Sequence, residues 1–217
     1  MRHVPAAVRG AIVLAGGPSR RMGRPKALLR IGGDSLVARV VAAAVQVVDE
    51  VLVVTRGPLA ASVAHVVPAS VRIVRDDRRL QSPLVGLLAG AECARSAYVA
   101  ALGCDLPFLR PAILRRLFRD AARRDAAVPR WENGMIEPLV AVYRRRALAA
   151  ASRDTLAQGG RSNQDMLDRL RRVAWVPMSQ LRRLDPDLRS FLNVNSPADL
   201  ARARALSPRR APRPRTR

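Results

Sequence analysis

Aromatic residues and cysteines are scarce in this sequence of 217 residues. Aromatic side chains make up only 3% of it, so a hydrophobic core has to be built mainly from Ala, Val and Leu. The two cysteines, Cys93 and Cys104, do not form a Cys-x-x-Cys pair, and the two histidines stand far apart. This pattern predicts neither a zinc site nor a disulfide framework, and it favours a cytoplasmic protein.

Long apolar segments are also lacking. No run of about 18 apolar residues is free of charges, so we expect no membrane span. The first ten residues carry charges but no apolar stretch followed by a cleavage site, so we expect no signal peptide. Hydrophobic residues nevertheless make up 49% of the chain, which excludes disorder as its main state and suffices for a core without metal or disulfide.

Acidic residues are few compared with basic ones. The chain has 39 Lys and Arg against 17 Asp and Glu, a net charge of +22 that would suit a polyanion as partner. The arginines, however, are spread along the whole chain and are not interleaved with aromatics. That distribution favours a compositional bias over nucleic-acid binding. Lys26 is the only lysine, which makes its position a candidate for a specific role.

Short apolar segments alternate with amphipathic ones. Strands are predicted over residues 10–15, 50–55, 71–75, 98–102, 127–128, 139–143 and 173–176, and helices over 35–48, 59–66, 84–96, 111–125, 146–158, 164–171 and 197–206. This order predicts an α/β fold: a three-layer, Rossmann-like, mostly parallel sheet with helices on both faces. We expect one domain over residues 1–206 and a disordered basic tail over 207–217.

A glycine-rich segment with cations, LAGGPSRRMGRPK, follows the first predicted strand and spans residues 14–26. Ligands of open parallel sheets bind beyond the carboxyl ends of the strands. Gly16 and Gly17 permit close approach of phosphate oxygens, and Arg21 and Lys26 could neutralise a polyphosphate. The segment has neither the Walker spacing nor the spaced glycines of the dinucleotide fingerprint.

An acidic residue, Asp105, follows the fourth predicted strand within the sequence CDLPF. A carboxylate fixed at a strand end by a following proline can be presented to Mg²⁺, which takes one or two carboxylates and fills its other positions with water and phosphate. An aspartate that only caps a turn is the alternative. Cys104 is interpreted as a small packing residue.

The segment 14–26 resembles the signature of nucleotidyltransferases with a glycosyltransferase-A-like fold, and its form is similar to the molybdenum cofactor guanylyltransferases. The resemblance implies transfer of GMP from GTP to the terminal phosphate of molybdopterin, with release of pyrophosphate. It implies catalytic roles for Lys26, Arg21 and Asp105, the last as the Mg²⁺ ligand. It also implies a nucleotide-binding set: Leu14, Ala15, Gly16, Gly17, Ser19, Arg21, Lys26, Asp76, Asp77, Pro83, Leu84 and Gly86.

Recognition of the base is implied for the third motif, which runs from Asp76 to Gly86. In the family an aspartate here contacts the guanine. Its carboxylate can accept hydrogen bonds from the N1–H and N2–H₂ edge of the base. The choice between Asp76 and Asp77 stays open, and so does the alternative of two surface aspartates. Ser82 departs from the glycine of the family.

The resemblance also implies residues that bind a molybdopterin-type acceptor. Glu137 stands where the family has Gln in a Gln-Pro-Leu sequence, Arg161 fits a Gly-x-Arg-Ser loop, and Asn193 and Asn195 fit a Phe-x-Asn-Val-Asn sequence. Plain helix capping explains the segment around Asn195 equally well, and Arg161 could simply be solvated. Proteins that handle molybdopterin, or chaperones of molybdoenzymes, are further expected partners.

The implied reaction needs no general base. A phosphate monoester with a second pKa of about 6 is already largely dianionic at neutral pH, which agrees with the absence of histidine from the motifs. Two alternatives remain: a cytidylyltransferase or another nucleotidyltransferase of the same fold, and a non-catalytic basic nucleotide- or nucleic-acid-binding relative. Gly16 and Gly17 favour guanylyl transfer, because cytidylyl relatives usually have Ala-Ala-Gly there.

Overall fold

The centre of the fold is a seven-stranded β-sheet. The structure is a computed structural model, and it describes residues 9–17, 23–76, 80 and 82–207. The strands of the described chain are β1 (Arg9–Leu14), β2 (Arg30–Ile31), β3 (Asp34–Ser35), β4 (Glu50–Thr55), β5 (Arg72–Arg75), β6 (Tyr98–Gly103), β7 (Ala126–Arg130), β8 (Val140–Arg144) and β9 (Val173–Pro177). The helices are α1 (Leu36–Ala44), α2 (Leu59–Ala64), α3 (Pro83–Cys93), α4 (Pro111–Asp120), α5 (Arg145–Ala157), α6 (Asn163–Leu167), α7 (Met178–Leu181) and α8 (Pro197–Leu206), with 3-10 turns at Lys26–Leu28 and Arg189–Phe191.

The strand order in the large sheet is β5-β4-β1-β6-β8-β7-β9. Strands β5, β4, β1 and β6 pair in parallel, and β7 pairs in parallel with β9. Only β8 runs against its neighbours β6 and β7. The reason is the direct loop from β7 to β8, since a short connection can join adjacent strands only in antiparallel order. The prediction of a mostly parallel sheet is confirmed.

Helices cover both faces of the sheet, as predicted. On one face, Ala11 and Val13 of β1 pack in a core that α1 and α4 complete. On the other face, Ile12 packs in a core with α3 and α5. Successive side chains of a strand point to opposite faces, so this central strand is apolar throughout. Helix α3 lies very close to it, because a Cβ on Gly90 would come within 2.5 Å of Ile12.

Several predicted boundaries differ from the structure. The helices predicted over 35–48 and 111–125 end earlier, at Ala44 and Asp120, because the chain turns there to re-enter the sheet. The segment 16–30, predicted as a loop, contains the 3-10 turn and the strand residue Arg30. Helix α7 and the second 3-10 turn were not predicted. Apart from Ser207, the predicted tail lies outside the described residues, and the domain division stays a prediction.

A small antiparallel pair, β2 and β3, lies beside the main sheet. Gly32 and Gly33 connect the strands with φ angles of 59° and 94°, the left-handed conformations that a two-residue hairpin turn requires. Its Ile31 packs in a separate cluster with Leu200 and Ala203 of α8. The hairpin therefore holds the last helix against the segment that follows Lys26. No helix in the described ranges is both long and apolar enough to cross a bilayer.

Candidate active site

The carboxyl ends of β1, β4 and β6 meet at one edge of the sheet. Beyond the regular pairing, the amide of Ala15 donates to the carbonyl of Val54 at 2.8 Å. The amide of Cys104 donates to the carbonyl of Leu14 at 3.1 Å. These bonds hold the start of the glycine-rich segment beside the residues that follow β6, where sequence reasoning placed the chemistry.

Gly16 and Gly17 differ in whether the structure explains the need for a glycine. A Cβ on Gly16 would come within 3.0 Å of Cγ of Arg56, so the packing around the loop restricts this position. A Cβ on Gly17 would meet no described atom within 4 Å, and its φ is not left-handed. Neither packing nor backbone conformation in the described chain requires a glycine at position 17. A ligand that approaches the backbone closely would require one.

Lys26 links the glycine-rich segment to two distant parts of the chain. Its Nζ donates to Oδ2 of Asp105 at 2.9 Å and to Oδ1 of Asn195 at 2.6 Å. The side chains of Lys26 and Asp105 are 20% and 21% exposed, so the ion pair is partly accessible to solvent. Three predicted site residues are thus brought into direct contact.

The carboxylate of Asp105 is folded back over the end of β6. Its Oδ1 would collide with a Cβ on Gly103, so only glycine permits this conformation. The carbonyl of Asp105 accepts a hydrogen bond from the amide of Val194 at 2.9 Å, which ties it to the segment before α8. Sequence reasoning missed Gly103 as a site residue. The signal available was a glycine two residues before an acidic residue at a strand end.

Cys104 is buried between these site residues. Burial raises the pKa of its thiol to about 12, so the side chain stays an uncharged thiol at neutral pH. This agrees with the interpretation of Cys104 as a packing residue, since the thiolate is the nucleophilic form.

The N-terminus of α8 positions Asn195. Ser196 is its N-cap and accepts from the amide of Asp199 at 3.1 Å, while Oδ2 of Asp199 accepts from the amides of Asn195 at 3.0 Å and Ser196 at 2.8 Å. Hydrogen bonds from Ser196 and from the Asn195 amide lower the pKa of the Asp199 carboxyl. The interpretation as a helix cap is confirmed. The side chain of Asn195 also contacts Lys26, and its role in binding the acceptor stays a prediction.

Glu137 lies close enough to Asp105 for their charges to interact. Its Oε1 accepts from Nε1 of Trp131 at 2.8 Å, and the Trp131 ring meets Phe191 edge to face at 6.2 Å. Burial raises the pKa of the Glu137 carboxyl and the negative charge of Asp105 raises it further, while the hydrogen bond from Trp131 opposes both. Trp131 was not predicted from the sequence, although a tryptophan in so aromatic-poor a chain was a usable signal.

Replacing Glu137 with glutamine is expected to stabilise the protein near pH 8 but not near pH 4. The pKa of Glu137 is higher in the folded than in the unfolded state, so ionisation opposes folding above the unfolded value of about 4.3, and fully so above the folded value. Glutamine keeps an oxygen for Trp131 and never ionises. Thermal unfolding of both proteins at the two pH values measures this, with exposed Glu132→Gln as the control. An equal shift at both pH values would contradict it.

Asp76 follows β5 and is buried, with 6% of its surface exposed. Its amide donates to the carbonyl of Thr55 at 2.8 Å, which places it next to the end of β4. The alternative that Asp76 is a surface aspartate is therefore wrong. Asp77 lies outside the described residues, as do Ser19 and Arg21 of the glycine-rich segment.

Helix α3 begins at the same edge with Pro83 and the buried Leu84. Ser82, which departs from the family pattern, is its N-cap and accepts from the amide of Val85 at 3.3 Å. A Cβ on Gly86 would come within 3.1 Å of Cδ2 of Leu14, so this glycine lets the helix approach β1. Ser82 thus caps the helix at this edge, and Gly86 allows the helix to pack closely against β1.

Two of the predicted acceptor residues make no described hydrogen bond to Lys26, Asp105 or Asn195. Arg161 is exposed in the turn before α6, and none of its described side-chain contacts reaches Asp105, Lys26 or Asn195. The side-chain amide of Asn193 donates to the carbonyl of Phe191 at 3.4 Å and not to Asp105 or Asn195.

Comparisons with known proteins show similarity over most of the chain. The model of the MobA-like NTP transferase domain family matches residues 11–173. A probable molybdenum cofactor guanylyltransferase from Methanosarcina mazei is 36% identical over 198 residues, 88% of each chain. A molybdenum cofactor guanylyltransferase from Desulfosudis oleivorans is 36% identical over 196 residues, 89% of this chain and 93% of the other.

Solved structures share the fold. The molybdopterin-guanine dinucleotide biosynthesis protein A from Archaeoglobus fulgidus superposes with a TM-score of 0.77 at 27% identity, over 90% of this chain and 97% of the other. A 2-C-methyl-D-erythritol 4-phosphate cytidylyltransferase from Thermus thermophilus has a TM-score of 0.67 at 21% identity, over 90% of this chain and 97% of the other, a likeness of fold alone.

Proposed function

Because this chain belongs to the MobA-like NTP transferase family, we propose that it transfers GMP from GTP to the terminal phosphate of molybdopterin and releases pyrophosphate. The observation that carries this proposal is the 36% identity, over nearly the whole chain, to molybdenum cofactor guanylyltransferases. The nucleotidyltransferase chemistry follows from the family. The residues assigned below are proposals supported by the geometry of the site.

The acceptor phosphate attacks the α-phosphorus of GTP, and pyrophosphate leaves. A phosphate monoester has a second pKa of about 6, so it is already largely dianionic at neutral pH and no side chain has to remove a proton. The main barrier is the approach of a dianion to a polyphosphate. The protein lowers it by holding both reactants in line and by presenting positive charge.

Positive charge comes from Lys26 and from the amides that follow β1. The ammonium group of Lys26 lies next to the carboxylate at the strand edge, where the α-phosphate of a nucleotide on Gly16 and Gly17 would also lie. Charge that is already oriented stabilises the transition state without further rearrangement. Arg21 contributes a second cation in this proposal, from outside the described residues.

Asp105 fits the requirements of a Mg²⁺ ligand. Its carboxylate is 21% exposed at the strand edge. The described residues contain no group of three or more side chains suited to a metal ion, so the remaining ligands would be water and nucleotide phosphates, the usual set for Mg²⁺. When bound, Mg²⁺ supplies Lewis-acid stabilisation of the phosphoryl charge.

The base and the acceptor are assigned to opposite sides of this ion pair. Asp76, buried beside the end of β4, is proposed to accept hydrogen bonds from the N1–H and N2–H₂ edge of guanine. Glu137 precedes β8, which pairs with β6 on the side away from β1, and is proposed to face the acceptor. Arg161 and Asn193 are proposed to contact the same acceptor. The proposal also includes a cytoplasmic location and a partner protein, a molybdopterin-handling protein or a molybdoenzyme chaperone, that receives the product.

Calorimetry with GTP, CTP, ATP and UTP in the presence of Mg²⁺ tests the proposed function. We expect GTP to bind at least about tenfold more tightly than the other nucleotides, because each unsatisfied polar edge in a buried site costs about 1–3 kcal/mol. Asp76→Ala should remove that preference while Glu132→Ala, an exposed acidic control, should keep it. A preference for CTP would favour the cytidylyl alternative, and a folded protein that binds no nucleotide would contradict the proposal.

A further inference from the structure

We propose that Asn195 is a positioning residue that retains the ammonium group of Lys26 in the site when Asp105 binds a divalent cation. This inference rests on the proposed function, because it assigns the cation to Asp105. It concerns a contact between residues 169 positions apart in the sequence.

The observation is the position of Lys26 between two different acceptors. Nζ lies 2.9 Å from a charged oxygen of Asp105 and 2.6 Å from a neutral oxygen of Asn195. A lysine side chain has four rotatable bonds and loses much rotamer entropy when it is fixed. Acceptors on two separate elements restrict it to one place.

A divalent cation and Lys26 compete for the same carboxylate. A doubly charged ion on Asp105 would draw on the negative charge of the carboxylate and repel the nearby ammonium group. The ion pair seen here would then weaken. The amide oxygen of Asn195 carries no net charge, so it can keep its hydrogen bond to Lys26 while the negative charge of Asp105 is directed to the metal.

The position of Asn195 does not depend on Lys26. Its amide is bonded to Asp199 at 3.0 Å, and the preceding Val194 is buried and donates to the carbonyl of Asp105 at 2.9 Å. Val194 also belongs to the apolar cluster that joins α8 to the β2–β3 hairpin. A side chain supported in this way is preorganised for its partner. Because Asn195 itself is exposed, truncating it leaves no cavity.

Lys26 is the only lysine, so [¹⁵N]lysine labelling gives one side-chain ammonium signal that reports on it directly. Addition of MgCl₂ and GTP to the wild type should shift this signal, because the ion pair of Lys26 with Asp105 weakens. The signal should nevertheless persist. In Asn195→Ala we expect the ammonium protons to exchange with water at least about tenfold faster under the same conditions. Asn195→Asp keeps an acceptor and should restore slow exchange. Gln46→Ala, an exposed amide at the opposite edge, is the matched control.

Kinetics separate positioning from direct contact with the acceptor. If Asn195 acts through Lys26, Asn195→Ala lowers kcat about tenfold or more in the wild type and has no further effect in Lys26→Ala. An equal loss in both backgrounds, or an ammonium signal that Asn195→Ala leaves unchanged, would overturn the inference. If the ammonium responds as described but no guanylyl transfer occurs with molybdopterin, the proposed function fails and the positioning role stands.

Discussion

Lys26→Ala is expected to lower kcat for guanylyl transfer by about 10²–10³-fold while the protein stays folded. The ammonium group is the one described cation in direct contact with both Asp105 and Asn195, so its loss removes positive charge where negative charge builds up in the transition state. The ion pair is one-fifth exposed, so its contribution to the free energy of unfolding is only about 1 kcal/mol or less. Steady-state kinetics and thermal unfolding measure the two effects separately.

Two further variants make this result specific. Lys26→Arg keeps the charge but replaces a compact ammonium group with a planar guanidinium, so we expect it to recover only part of the activity. Arg24→Ala removes an exposed cation two residues away and should change kcat by less than about threefold, since surface charges act weakly at a distance. Full activity in Lys26→Ala would contradict the assigned role.

Local sequence features predicted the elements that carry the site. The apolar segments at 10–15 and 98–102 are strands because both faces are covered, and residues that follow parallel strands come together at one edge. That reasoning placed Lys26 and Asp105 at one site, and the structure joins them at 2.9 Å. The antiparallel direction of β8 could not be predicted in the same way, because it depends on how strands pair across the sheet.

The long-range contacts of the site could not be predicted from spacing. The bond from Lys26 to Asn195 depends on α8 packing against the hairpin that follows Lys26, a contact that forms only in the folded chain. The hydrogen bond from Trp131 to Glu137 is local, but the burial that raises the pKa of Glu137 arises only in the folded chain, as does the nearby charge of Asp105. Arg161 shows the opposite case: its motif matches the family, but none of the described hydrogen bonds joins it to Lys26, Asp105 or Asn195.

Asp105→Asn is expected to reduce kcat by at least about 10³-fold, equivalent to about 4 kcal/mol, and to remove the Mg²⁺ dependence of GTP binding. Asparagine has the same shape and keeps an oxygen for Lys26, and the bond from the amide of Val194 goes to the backbone carbonyl, so folding should be preserved. What is lost is the negative charge that Mg²⁺ requires of a ligand. Calorimetry with and without Mg²⁺ and steady-state kinetics measure the two losses.

A double substitution decides whether Asp105 binds metal or only holds Lys26. If its sole role is to orient the ammonium group, Asp105→Asn adds nothing to the defect of Lys26→Ala, because residues that act as one unit are not additive. If Asp105 binds Mg²⁺, the double variant is slower than Lys26→Ala by most of the factor lost in Asp105→Asn alone. Asp187→Asn, an exposed carboxylate with 62% of its side chain accessible, should behave as wild type. Because Mg²⁺ on Asp105 would supply Lewis-acid stabilisation in addition to the charge of the ammonium group, we expect the two losses to multiply.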